Sequence, residues 1–282
     1  MYLAKIFGLF ALSVFPLVSS SAGIIKCEDS GGNVVFTENK SDCYSNVEHK
    51  AVEFAKRVTA LDKTKISYRV PRRDYIREKG KWDIHVESVL FEGDPELYRT
   101  SLLKLNEVLD DIFSVLPTRA SQELSNLSIY LMWGENSPSG GRKSGMSYIR
   151  KGEPNNYLYL DPAWEHSLVI YSAKNLMYLN DMWSRKAIVH ELSHTWHTTN
   201  WPEKHPPIYN SWVNAKKSNL YTNVQDTKGT TIRSAYARKN QLEYFAELSA
   251  IYFFGGNYYP YNRQGLEKYD PKGYRMVRTL WQ

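Results

Sequence analysis

Cysteine is scarce in this sequence, with Cys27 and Cys43 as its two copies. Neither has a histidine or a second cysteine at ligand spacing, which argues against a cysteine-ligated metal site. Lysine and arginine form no dense block, so the charge pattern does not indicate a nucleic-acid partner. After the first 22 residues, no apolar run in the sequence approaches the length of a membrane span.

The first 22 residues have the layout of a secretory signal peptide. A charge at Lys5 is followed by an apolar run from Ile6 to Val18 and by the small residues Ser20 and Ala22. An uncleaved membrane anchor is the alternative, but Pro16 interrupts a run that is already short for a span. Cleavage would leave 36 − 1 basic residues against 30 acidic ones, a mildly basic net charge of +5. We therefore expect an exported protein, periplasmic or secreted.

The two cysteines enclose a segment with the pattern of a β-hairpin. Residues 30–33 (SGGN) form a turn motif, and residues 34–37 (VVFT) have the composition of the returning strand. In an exported chain, an even pair at this range predicts a Cys27–Cys43 disulfide, worth roughly 3 kcal/mol in the chain-entropy model. We assign residues 23–47 to this small module and residues 48–80, which are polar and weakly periodic, to a linker.

Residues 81–282 predict one α+β domain. Asp94 can cap a helix that begins at Pro95, and apolar residues spaced three and four apart continue it to Leu116. Strands are predicted at 127–133, 146–150 and 155–162, and two further helices at about 183–198 and 238–254.

The stretch IVHELSHTWHTTN (188–200) contains the pattern H-E-x-x-H. On a helix, His190 and His194 lie one turn apart on the same face, so both imidazoles can reach one ion. Zinc accepts neutral imidazole nitrogens, and a catalytic zinc site keeps a third protein ligand and a water. Glu191 would lie beside that water and take its proton as a general base. The alternative is a buried helix on which these polar residues are incidental.

Two histidines leave a zinc site incomplete, and the third ligand decides its class. A metzincin would continue with glycine and histidine where this chain has His197 and Asn200, so that class is excluded. His197 would have to bend back along its own helix to reach the ion, and we expect it behind the ligands or at the surface. His205 is a remote alternative.

A better third ligand lies in NQLEYFAELSAIYF (240–253). Glu243 and Glu247 are four residues apart on one face of an otherwise apolar helix, where unpaired carboxylates are costly. Glu243 would be the third zinc ligand, and the ion would compensate the charge of its carboxylate. A ligating histidine would donate its other ring N–H to Glu247. An exposed acidic pair on a surface helix is the alternative interpretation.

Taken together, these motifs resemble a known group of enzymes. H-E-x-x-H followed some fifty residues later by E-[YF]-F-A-E resembles the zinc peptidase domain of anthrax lethal factor and of the secreted Pro-Pro endopeptidases, and more broadly the thermolysin-type gluzincins. In the lethal-factor-like group a tyrosine lies seven residues before the glutamate ligand, and Tyr236 holds that position here. The resemblance implies that Tyr236 hydrogen-bonds the oxyanion of the tetrahedral intermediate. It also implies a zincin-like fold, with an active-site helix, a small mixed sheet and a glutamate-ligand helix.

Two further resemblances concern the cellular location of the protein. The runs WSRKAIVHELSHTWH and YARKNQLEYFAELSAIYFFGGNYYPY are similar to those of a bacterial family of predicted exported metallopeptidases, loosely over residues 94–281. The segment with Lys26-Cys27, Phe36-Thr37 and Cys43 resembles a small disulfide-bearing module of Gram-negative periplasmic proteins. Both imply a bacterial envelope protein.

We therefore expect an exported endopeptidase that binds one zinc ion and acts on a peptide or protein substrate. An extended substrate would add to an edge strand, for which residues 145–150 and 155–162 are candidates, although each is equally compatible with a core strand. Two alternatives remain: a zinc-binding envelope protein without turnover, and an effector with a single narrow target. The sequence leaves the oligomeric state open.

Overall fold

A computed structural model of the chain describes residues 25–28, 34–37, 73–157 and 159–282. The chain divides into two compact units, Met1–Ile66 and Ser67–Gln282. In the first unit, β1 (Ile25–Glu28) runs antiparallel to β2 (Val34–Thr37), which confirms the predicted hairpin. The signal peptide at 1–22 and the disulfide, which depends on Cys43, lie outside the described residues.

The larger unit has the mixed α+β architecture that the sequence predicts, built on a five-stranded sheet. Its strands are β3 (Tyr75–Arg77), β4 (Ile84–Glu87), β5 (Ser128–Leu131), β6 (Met146–Ile149) and β7 (Ser167–Ile170). Their spatial order is β3-β4-β5-β7-β6; β4, β5 and β7 are parallel, and the edge strands β3 and β6 are antiparallel to their neighbours. Strand β3 lies within the predicted linker at 48–80, so the boundary at residue 81 falls too late. A three-residue edge strand carries too little periodicity to be seen in the sequence.

The larger unit also contains ten helices in the described part of the chain. They are α1 (Ser88–Gly93), α2 (Pro95–Val115), α3 (Thr118–Leu124), α4 (Glu153–Asn156), α5 (Ala173–Tyr178), α6 (Asp181–Asn200), α7 (Pro206–Lys217), α8 (Gln241–Phe254), α9 (Arg263–Tyr269) and α10 (Pro271–Trp281). A two-stranded ribbon of β8 (Thr222–Gln225) and β9 (Thr231–Ser234) precedes a 3-10 turn at Tyr236–Arg238. Helices α2, α6 and α8 confirm the three helices that the sequence predicts. In the described part of the chain, none of the helices combines the length and apolar character needed to cross a bilayer.

The two long helices that carry the polar motifs both begin at asparagine caps. Asn180 accepts a hydrogen bond from the Trp183 N–H at 3.0 Å and starts α6, and Asn240 accepts from the Glu243 N–H at 2.9 Å and starts α8. Such caps contribute about 1 kcal/mol each. Helix α8 ends at Gly255, whose φ of 86° lies in the left-handed region that glycine adopts without strain. The caps therefore define where the motif residues lie along each helix.

Successive side chains of each strand point to opposite faces of the sheet, and this alternation separates two apolar clusters. Ile129 and Leu168 face the helices in the main core, together with side chains of α2, α6 and α8. The other face of the sheet carries a smaller buried cluster of Tyr130, Met132, Ile149, Leu160, Trp164, Val169 and Tyr171. All four residues of β7 are buried, because this central strand is covered on both faces.

The predicted strand at 155–162 is wrong. The segment contains the end of α4 and leads into a 3-10 turn at Pro162–Trp164. Local turn chemistry explains the difference: Gly152 has a φ of 77°, and Asp161 accepts a hydrogen bond from the Ala163 N–H at 2.9 Å. Among the strands that the sequence missed is β7, which begins only five residues after Pro162.

Candidate metal centre

Helices α6 and α8 lie side by side, and each brings its polar residues to the line of contact. His190 and His194 lie one turn apart on α6, and Glu243 faces them from the first turn of α8. The His190 Nε2 atom is 3.2 Å from His194 Nε2 and 3.1 Å from Glu243 Oε2, and Glu243 Oε2 is 3.2 Å from His194 Nε2. Within the described residues, these three side chains form a group that could hold a metal ion.

The spacing of the three donor atoms fits a tetrahedral ion. Donors bound to zinc at about 2.0–2.1 Å and at tetrahedral angles lie about 3.3–3.4 Å apart, close to the 3.1–3.2 Å found between these atoms. Their chemistry also fits, because His190 Nδ1 lies 2.8 Å from Glu247 Oε1 and must donate its proton there. A neutral His190 then points the Nε2 lone pair at the Glu243 carboxylate. Such a pair needs a cation between its members, either a proton or a metal ion.

The protonation of the metal-free site shows the same need for a cation. Burial lowers the pKa of His190, but hydrogen bonds to Glu243 and Glu247 outweigh burial and raise the pKa to about 10. Burial raises the pKa of the Glu243 carboxyl, but His190 and His194 hold that pKa well below its usual range. Without metal, a proton therefore occupies this group, and a metal ion has to displace it.

Glu247 is buried behind His190. Its Oε1 accepts from His190, both of its oxygens accept from Lys186 Nζ at 3.0 and 3.1 Å, and its Oε2 accepts from the Tyr258 hydroxyl at 2.8 Å. Burial raises the pKa of Glu247, but Lys186 and His190 together lower it to about 2, so the carboxylate stays ionised. The carboxylate thus fixes both the tautomer and the ring orientation of His190.

Replacing Glu247 with glutamine is expected to weaken metal binding by about 10- to 100-fold. The carboxamide removes the charge that holds His190 in its donor tautomer and leaves the buried Lys186 cation unpaired. Titration of the metal against a chromophoric chelator measures the change. Glu267→Gln makes the same substitution at an exposed position on α9 and should leave the affinity unchanged. An unchanged affinity in Glu247→Gln would contradict this orienting role.

Glu191 connects the metal cluster to the edge of the sheet. Its Oε2 accepts a hydrogen bond from the Tyr148 N–H of β6 at 2.8 Å. The Gly145 carbonyl accepts from the Tyr171 N–H at 3.1 Å, so in the antiparallel pattern Met146 and Tyr148 direct their backbone groups away from β7. Of the two segments that the sequence offers as a substrate edge, β6 is the edge strand.

Tyr236 lies in the 3-10 turn before α8, with its ring 5.8 Å from that of His190. Its hydroxyl donates to Glu243 Oε1 at 2.9 Å, and Lys239 Nζ donates to that hydroxyl at 3.1 Å. Burial raises the pKa of the Tyr236 phenol although Lys239 opposes the shift, so the phenol keeps its proton at neutral pH. The side chain is 46% exposed and lines the cavity that also contains Glu191.

His197 is not a member of the metal-ligand group. It is fully buried, its Nε2–H donates to the Pro202 carbonyl at 3.2 Å, and its ring packs edge-on against Phe245. The alternative that His197 lies at the surface is therefore wrong, and packing between helices explains its burial. His205 stacks on Trp201 and is not a member of the metal-ligand group.

The buried His197 is expected to make stability pH-dependent. Burial lowers its pKa to about 4, whereas the unfolded chain takes up this proton near its ordinary pKa of about 6.5. Between these two pKa values the unfolded state binds more protons, so acid favours unfolding. The free energy of unfolding is expected to fall by about 2 kcal/mol from about pH 7.5 to about pH 5. Urea unfolding in the presence of a chelator should show a smaller loss over this range in His197→Leu than in the wild type. Equal losses would contradict this assignment.

Sequence reasoning identified the donors but missed two residues around them. Lys186 lies one turn before His190, so helical spacing was an available signal for it. Tyr258 follows α8 in a loop, and no local pattern marks it. No protein-family model matches the chain, and no curated protein matches it. The inference of function therefore depends on the site's own geometry.

Proposed function

We propose that this protein is a zinc-dependent metallopeptidase of the gluzincin type. The observation that carries the proposal is the position of Glu191, which lies beside the three converging donors and reaches the edge strand. His190, His194 and Glu243 hold the zinc ion. When bound, zinc acidifies a water molecule and polarises the scissile carbonyl. A zinc ion with a purely structural role is closed by protein ligands and has no need of a base beside it.

Glu191 acts as the general base. The Tyr148 N–H holds its Oε2, so Oε1 stays available to accept the proton of the attacking water. The same carboxyl then delivers that proton to the leaving amine, which must be protonated before it departs. The backbone hydrogen bond keeps the base in position through both steps.

Tyr236 stabilises the charge that develops on the substrate carbonyl. Its hydroxyl donates to Glu243 Oε1 when no substrate is bound, and exchanges this acceptor for the oxyanion during the reaction. The Lys239 ammonium on the other side of the hydroxyl supports the exchange, because it satisfies the phenol oxygen and leaves the phenol proton free to move. A phenol that keeps its proton at neutral pH is suited to this role.

The substrate binds as an extended strand along β6. Met146 and the carbonyl of Tyr148 present backbone groups on the free side of this strand, while the Tyr148 N–H holds Glu191 beside them. The arrangement of α6, α8 and β6 around one candidate metal site supports a zincin-like fold. The signal-peptide pattern at 1–22 supports export to the periplasm or beyond the cell.

Digestion of a proteome-derived peptide library by the mature chain tests the proposal. Cleavage is expected to disappear when a chelator removes the metal and to return when zinc is added. A Glu191→Gln preparation controls for contaminating peptidases, because it should bind the same metal. A protein that binds zinc and cuts no peptide in the library would overturn the proposal, and would favour an envelope protein that keeps the site without turnover.

A further inference from the structure

A cavity of about 460 Å³ opens beside His190 and Glu191, toward the start of α6. Trp183 and Ala187 form its wall on α6, at the spacing of one helix face, and Ile232 contributes from β9. We call it the Lys186 pocket, since buried Lys186 and Tyr258 mark its inner end while the half-exposed Tyr236 lies at its mouth. Its walls are mostly apolar, and its inner end is polar.

The Lys186 ammonium can bind a group inside this pocket. Its Nζ lies 5.2 Å from the Trp183 ring centroid and 5.7 Å from that of Tyr258, and both of its hydrogen bonds go to Glu247. An ammonium has three N–H groups, so one of them has no acceptor in the described part of the chain. A ligand atom with a lone pair would complete its coordination.

Asn257 adds a second unsatisfied group. Its Oδ1 is buried and has no hydrogen-bond partner within the residues that the structure describes. A buried carbonyl oxygen without a donor is costly. Asn257 lines the Lys186 pocket, so a ligand N–H group that reached this oxygen would give it the donor it lacks, while a ligand oxygen would accept from Lys186.

The charges at the inner end select a neutral group. Lys186 is paired with Glu247 at 3.0 Å, so the two leave no net charge for a ligand ion. A carboxylate would meet Glu247 and an ammonium would meet Lys186, and each would lose its hydration without a free counter-charge. A carboxamide avoids both penalties, because its oxygen accepts from Lys186 and its N–H donates to Asn257.

For a substrate that adds to β6 in the antiparallel direction, this pocket lies after the scissile bond. The end of β6 and the end of α6 border a shared cleft, lined by Arg150 and Thr198 among others, so β6 and α6 run in the same direction here. A substrate antiparallel to β6 then places its amino-terminal part near Arg150. Its carboxyl-terminal part lies near the start of α6, where Lys186 is located.

We propose that the Lys186 pocket binds a glutamine side chain at the substrate position that follows the scissile bond. Lys186 lies four residues before His190 on the helix, about 6 Å along its axis, which favours the longer glutamine over asparagine. Its methylene groups would pack on Trp183 and Ala187 while its carboxamide meets Lys186 and Asn257. This inference rests on the proposed peptidase function.

A set of peptides with one scissile bond and different residues after it tests the inference. The value of kcat/KM is expected to be about tenfold higher for glutamine than for leucine or glutamate, which corresponds to one or two net hydrogen bonds. Lysine should be cut more slowly than leucine, because its ammonium meets Lys186. Equal rates, or the highest rate for leucine or for a charged residue, would overturn the inference while leaving the peptidase function intact. Absence of any cleavage would instead count against the peptidase function itself.

Variants of the pocket assign the selectivity to its residues. In Asn257→Leu the ratio of the glutamine rate to the leucine rate should fall to about one, because the acceptor is replaced by an apolar group. Asn210→Leu makes the same change at an exposed position on α7 and should keep the wild-type ratio. Lys186→Met serves if Asn257→Leu does not fold, and should also abolish the preference. Since both peptides depend on the same metal, their ratio is insensitive to partial metal loss; an unchanged ratio in the folded variant would overturn the inference.

Discussion

Replacing Glu191 with glutamine is expected to lower kcat for peptide hydrolysis by about 10³-fold, within the range of 10²–10⁴ typical for a general base. The metal content should remain that of the wild type, because Glu191 is not among the three side chains whose donors converge. A carboxamide keeps an oxygen that can accept the Tyr148 N–H, so the side chain should stay in place. What it loses is the ability to take up and release a proton. The variant therefore separates the chemical step from assembly of the site.

The measurement combines a peptide-cleavage assay with metal analysis of the same preparation. Glu107→Gln is the matched control, since it makes the identical change at an exposed position on α2 and should leave both quantities unaltered. Retained activity in Glu191→Gln would refute the assignment of the base. Loss of metal together with activity would show that Glu191 belongs to the binding group instead.

The sequence predicted the metal donors because their geometry is local. His190 and His194 are separated by one helical turn, and so are Glu243 and Glu247, so each pair shares a face once its helix forms. A shared metal site also requires that the two helices meet. The acidic pair on an otherwise apolar helix indicated that a cation faces it. The observed contact between α6 and α8 satisfies that requirement.

Features that depend on distant packing were not predictable in the same way. Strand β7 is a short run buried on both faces, so it lacks the alternation that identifies a half-buried strand. The order of the strands, and hence the edge position of β6, follows from pairings between distant segments. The Tyr148 N–H that holds Glu191 is a backbone group, and no side-chain pattern reports its direction.

The hydrogen-bond partners of Glu247 also divide into those that local motifs predict and those that depend on distant packing. Its bond to His190 follows from the pairing of two motifs, whereas its bond to Tyr258 depends on how the loop after α8 folds back. Lys186 is an intermediate case. Its position on α6 follows from local helical spacing, whereas its burial depends on how distant segments pack. The pocket that Lys186 and Tyr258 border therefore emerges only from the assembled fold.

Replacing Glu243 with alanine is expected to lower the zinc content from about one ion per chain to less than about a tenth of that, because a catalytic site with three protein ligands loses one of them. Peptide hydrolysis should fall with the metal. The two histidines that remain come from a single face of α6 and provide no donor from the opposing helix. Metal analysis after dialysis against buffer with a weak chelator measures the loss.

The loss of zinc in Glu243→Ala should occur without unfolding of α8. Asn240 caps this helix through the backbone N–H of residue 243, and alanine keeps that group. Circular dichroism should therefore match the metal-free wild type. His197→Ala is the informative comparison, since it removes the third histidine of α6 from the core and is expected to cost stability while zinc stays bound. If His197→Ala loses the metal and Glu243→Ala keeps it, the third ligand lies on α6 and the two-helix site proposed here is wrong.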